Sequence, residues 1–82
     1  MESLEEKVSQ LLQQRFGRRA KVEIDSDADG IIATVISTRF RGVGMRDRVD
    51  MVDDTLEGSL SAEEKRRIVI VVPRTPEEKR ED

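Results

Sequence analysis

Apolar residues fall at Leu4, Val8, Leu11, Leu12 and Phe16, with polar residues between them. That period predicts an amphipathic helix with one face on a core. Ser3 and Glu6 are spaced as a capping box, in which a hydroxyl and a carboxylate satisfy free backbone donors at the helix start. Gly17 supplies the stop, and Arg15, Arg18 and Arg19 suit the negative end of the helix dipole. The period then changes. Ala20, Val22 and Ile24 alternate with Arg19, Lys21 and Glu23, the mark of a strand with one solvated face. Beyond an Asp25–Gly30 turn, the stretch from Ile31 to Thr38 is rich in β-branched residues and nearly all apolar to Ile36. A more central strand is expected there, forming a hairpin with the first.

Helical spacing returns at Met45, Val49, Val52 and Leu56, for a helix that starts near Gly44 or Met45 and ends between Leu56 and Gly58. A second capping box, Ser61 to Glu64, opens a short helix finishing at Lys65-Arg66-Arg67. Ile68 to Val72 is an unbroken apolar run, suited to a strand buried on both faces or paired parallel to another, and Pro73 is expected to end it. Thr75-Pro76-Glu77-Glu78 combines a cap, a proline at the first helical position and a capping-box glutamate. The right-handed crossover rule pairs the second and third strands in parallel. The predicted fold is therefore two-layer α+β: a three-stranded mixed sheet with helices on one face, in the order α-β-β-α-α-β. It occupies residues 1–82 as a single domain, with 79–82 expected as a frayed tail.

Composition narrows the chemistry. The chain has no cysteine and no histidine. Disulfides, thiolate or imidazole metal sites, cysteine nucleophiles and Ser-His-Asp triads are all excluded. Paired carboxylates are present, but no motif places them for acid–base work, so a non-enzymatic module is expected. No apolar run approaches membrane-spanning length and no export segment is seen, giving an expected cytoplasmic location with no membrane partner. Phe16 and Phe40 are the only aromatic residues, so Val, Ile and Leu must build the core.

The element order, together with Ser37-Thr38-Arg39-Phe40-Arg41-Gly42, Arg48 with Leu56 behind it, and Thr75-Pro76-Glu77-Glu78, resembles the BolA-like family. That family is a variant of the type II K-homology (KH-like) topology, and the resemblance covers nearly the whole chain. It implies a histidine after the arginine of the second helix, where this sequence has Val49. It also implies an iron–sulfur cluster shared with a monothiol glutaredoxin, bound by a histidine at the start of the last strand, here Arg67, and a His or Cys from the turn between the first two strands, here Asp25, Ser26, Asp27, Ala28 and Asp29. Iron in such clusters takes thiolate or imidazole, and a guanidinium cannot ligate. No cofactor is therefore expected. K-homology RNA binding needs a Gly-x-x-Gly loop between two helices, whereas Leu56 to Ser61 holds a single glycine.

The candidate site is a basic cluster. Arg39, Arg41, Arg46 and Arg48 against Asp47 give 4 − 1 = +3 within ten residues, while Asp50 to Glu64 carries six acids and no base. A helix start bracketed by Gly42 and Gly44 and ringed with arginines suits an anion or a nucleic-acid phosphate, with Arg67 as a possible addition from the short helix. The same arginines also suit ordinary pairing with nearby acids, and the net charge of −3 opposes general attraction to nucleic acid. Asp25, Asp27, Asp29 and Gly30 match the first half of a calcium loop, but Ile36 stands where a bidentate glutamate is needed. Two functions follow as expectations: a nucleic-acid-associated regulator using the arginines, or a protein-interaction adaptor. The adaptor would engage a glutaredoxin-like protein or a second copy without iron. The first strand is expected at a sheet edge, guarded by Arg19, Lys21 and Glu23.

Overall fold

The computed structural model describes residues 3–81, with side chains described to Lys79. The elements run α1 (Leu4–Phe16), β1 (Lys21–Asp27), β2 (Gly30–Ile36), a 3-10 turn (Thr38–Phe40), α2 (Met45–Glu57), α3 (Ala62–Arg66), β3 (Ile68–Arg74) and α4 (Pro76–Glu81). The sheet order is β1-β2-β3, with β1 antiparallel and β3 parallel to β2. This is the predicted α+β architecture.

Local chemistry sets most element boundaries. Ser3 accepts the Glu6 amide at the start of α1, and Gly17 ends that helix at φ 94°. Gln13 Nε2 donates to the Gly17 and Ala20 carbonyls at 2.6 and 2.7 Å, fixing the turn into β1. The Ser61–Glu64 capping box forms in both directions. At α4 the Thr75 amide donates to Glu78 Oε1 and the Glu78 amide to Thr75 Oγ1, at 2.8 and 3.2 Å.

Alternation directs Ile31, Ala33 and Val35 of β2 into the core, where they are buried. Val8, Leu12 and Phe16 of α1 and Val52 and Leu56 of α2 close over them, and Phe40 packs on Phe16 with ring centroids 5.0 Å apart. Burial of this branched-aliphatic set supplies the main stabilisation. Lys7 also joins α1 to α3 through Glu64 at 3.2 Å.

Several boundaries differ from expectation. The Asp25–Gly30 turn narrows to Ala28-Asp29, because β1 continues to Asp27 and pairs it with Gly30 at the start of β2. β2 stops at Ile36, because Ser37 turns its hydroxyl to the Arg39 amide and starts the 3-10 turn. β3 runs through Pro73 to Arg74, since a proline whose missing donor faces off the sheet leaves the ladder intact. Of the two settings expected for β3, parallel pairing is the one found: it lies beside β2 as an edge strand rather than buried on both faces, and Val69 and Ile70 are 58% and 51% exposed. Residues 79–81, expected as tail, continue α4, and Asp82 lies outside the described residues.

Candidate functional site

Four of the five predicted arginines lie on the link between β2 and α2 or in the first turn of α2. Gly42 takes φ 74°, a left-handed turn open to glycine, and this folds the chain from the 3-10 turn into α2. Gly44 is the N-cap and offers no side-chain hydrogen bond, so the amides of the first turn are not capped by a side chain. Arg39, Arg41, Gly42 and Gly44 lie on this link and Arg46 in the first turn of α2, all exposed. Arg41 is ion-paired with Glu77, whereas Arg39 and Arg46 have no ion-pair partner among the described side chains.

Arg48 is turned inward instead. Its Nε donates to the Val43 carbonyl at 2.7 Å, and Nη1 reaches the Pro73 carbonyl at 3.4 Å and Glu78 Oε1 at 2.8 Å. Its guanidinium also lies 5.9 Å from the Phe40 ring centre. With only 7% of its surface exposed, Arg48 is a tie between α2, β3 and α4. Arg67 stands apart at the end of α3, where its carbonyl accepts the Ile31 amide at 2.7 Å. The start of α2 meets the far end of β3, so roughly 20 Å of strand separates Arg67 from the other arginines.

Two carboxylates are held below the usual glutamate range. The Arg48 hydrogen bond and then the Thr75 amide lower the Glu78 pKa. The Ser61 amide and then Lys7 do the same for Glu64. Among the described residues no three His, Cys, Asp or Glu side chains converge on a metal position. In the hairpin turn, Asp27 Oδ1 accepts the Asp29 amide at 2.8 Å, which is ordinary turn chemistry.

A second feature was not read from the sequence. Met45, Val49 and Asp53 form a stripe along α2 that faces the free edge of β3. Between them runs a groove of ≈ 450 Å³ floored by Val69 to Pro73. Met45 is 55% exposed, matching the exposure of Val69 and Ile70. Met45 and Val49 share the helical apolar spacing of Val52 and Leu56, which would set all four against the core. The structure keeps Val52 and Leu56 there and leaves the other two on its margin, beside β3.

No family model matches the sequence, and no curated protein sequence matches it. Solved structures do match. BolA1 from Mus musculus superposes with TM-score 0.73 at 19% identity, over 99% of this chain and 72% of that one. A bol-like protein from Babesia bovis gives TM-score 0.63 at 26% identity, over 99% and 93% of the two chains. The fold is BolA-like. The BolA domain of SufE1 from Arabidopsis thaliana agrees, with TM-score 0.70 at 18% identity over 95% of this chain and 98% of that chain. The shared cluster implied by a BolA-like fold does not fit the donor set here. Arg67 carries a guanidinium, and the segment Asp25–Asp29 offers only carboxylates and a hydroxyl.

Proposed function

We propose that this chain is a non-enzymatic binding module that holds another protein against its α2–β3 side. The carrying observation is the exposure of Met45, Val69 and Ile70 along one groove, while the other large apolar side chains among the described residues are at least partly buried. A polar surface would serve a free monomer better, so apolar side chains gathered at a sheet edge support a partner there. A glutaredoxin-like protein fits this reading as an adaptor partner bound without iron. The test is photo-crosslinking in cells from benzoylphenylalanine placed at Met45 or Val69, with exposed Gln14 on α1 as control. Discrete protein adducts from Met45 and Val69 but not Gln14 are the expected result. Equal adducts from all three positions, or none, would end the idea.

The uncapped start of α2 favours a second reading, a nucleic-acid-associated regulator that grips phosphate with Arg39, Arg41 and Arg46 around Gly42 and Gly44. Arg48 and Arg67 supply no contact in this version, since one is buried and the other is distant. Titrating labelled protein with duplex DNA or single-stranded RNA is expected to shift amides of residues 39–47, with shifts that shrink as salt rises. An unchanged spectrum with both ligands at low salt would remove this reading.

A further inference from the structure

We propose that the α2–β3 groove takes an extended, apolar partner segment carrying a lysine or arginine, added as a fourth strand beside β3. This rests on the partner-face reading above and specifies the chemistry that face selects.

The hydrogen bonding of the edge comes first. The Ser37 amide donates to the Arg74 carbonyl at 2.9 Å, and Thr34 and Ile36 pair with Val72 and Arg74. In a parallel ladder the main-chain groups of Val72 and Arg74 therefore face β2, and those of Val71 and Pro73 face off the sheet. Pro73 has no N–H, and its carbonyl is taken by Arg48. That closes one end of the edge. By that alternation the Val71 amide and carbonyl face away from β2 into the groove, where an incoming strand bonds them.

The sheet's two edges also differ in kind. β1 carries exposed Lys21, Glu23 and Asp25, the charges that ordinarily stop an edge from pairing. From Ile68 to Val72 the other edge has no charged residue, and its bulge at Val69 leaves two neighbouring apolar side chains exposed. One edge is guarded and the other is bare.

Charge then selects the occupant. Asp53 sits on the groove lip in line with Met45 and Val49, within the stretch from Asp50 to Glu64 that has six acids and no base. A polyanion is repelled there, and a second copy would lay its own acid-rich α2 alongside this one. An added strand alternates its side chains between the α2 flank and the open sheet face. Apolar residues then meet Met45, Val49 and Ile70, and a basic residue meets Asp53.

Selection of a random-peptide library on the full chain tests this. The expected winners are rich in β-branched residues, carry Lys or Arg, and shift the amides of β3 and α2. Asp53→Lys, checked for unchanged fold by its own spectrum, is expected to weaken them about tenfold. N-methylation of alternate peptide amides is expected to abolish binding, while methylation of the intervening amides is tolerated. Acidic or uncharged winners that ignore Asp53→Lys, winners bound elsewhere, or no winners at all would overturn the proposal. Crosslinks from Val69 to another protein would still uphold the partner face in those cases, so the two failures are separable. Adducts made only of this chain would identify a second copy as occupant and overturn the proposal too.

Discussion

Gly30→Ala is expected to cost about 3–5 kcal/mol, enough to unfold a large fraction of a domain this small. Gly30 takes φ 135°, a region that side-chain-bearing residues rarely enter. A Cβ there would stand 2.5 Å from the Arg67 carbonyl oxygen and 2.6 Å from Val69 Cγ2. The carbonyl is main chain and already accepts the Ile31 amide at 2.7 Å, so it has little freedom to retreat. The missing Cβ is what lets β3 enter the sheet against the start of β2. The strain of the dihedral and the overlap with β3 therefore add. Gly58→Ala is the control, because Gly58 has helical angles and its nearest atom is 3.9 Å away. It is expected to be neutral or stabilising by about 0.5 kcal/mol. Urea melts of both variants decide the matter: a Gly30→Ala midpoint close to that of Gly58→Ala would refute the close approach.

Gly30 also marks where sequence reasoning ends. A hairpin turn within Asp25–Gly30 was legible, because an Asp-rich segment ending in glycine between two apolar runs has a local meaning, although the turn itself is only Ala28-Asp29 and Gly30 is the first residue of β2. The capping residues Ser3, Ser61 and Thr75 and the spacing of Val8, Leu12 and Phe16 were legible for the same reason. The close contact of Gly30 with Val69 was not, since it joins residues far apart in the chain. β3 shows the same limit. An unbroken apolar run does not distinguish a buried strand from an edge strand, although topology held the answer. A hairpin on one side of β2 and a parallel partner on the other leave β3 at the margin of a three-stranded sheet. The candidate site was legible in part. Arg39, Arg41 and Arg46 are on the surface as their charge implied, while Arg48 is not. Its signal was its place in the series Arg48, Val52, Leu56, one turn apart on the face that packs inward.

Arg48→Met is expected to lower stability by about 2–3 kcal/mol, although methionine keeps most of the buried stem. The loss comes from the Val43 and Pro73 carbonyls, which lose their donor, and from the Glu78 carboxylate, which loses its cation. The Val43 bond is the larger part, being 2.7 Å long, charge-assisted and partly buried. Arg48→Lys keeps the charge but not the fork that reaches three acceptors, so it should recover only part of the loss. Acid titration separates the Glu78 contribution from the rest. The Glu78 pKa is depressed in the folded state, first by Arg48 and then by the Thr75 amide. Its contribution is therefore fully present above the ordinary glutamate pKa, and it disappears as pH falls through the lowered folded value. In Arg48→Met the first cause of that depression is gone. The stability gap between wild type and variant should be widest near neutral pH and narrow in acid, as measured by urea melts across that range. A gap that stays constant with pH would mean that Arg48 acts through the two carbonyls alone. If it narrows, the residue that a charge count assigns to an anion site is instead the clamp holding α2 and α4 on the end of β3. That clamp closes one end of the sheet edge and leaves Val69 to Val71 as the part open to a partner.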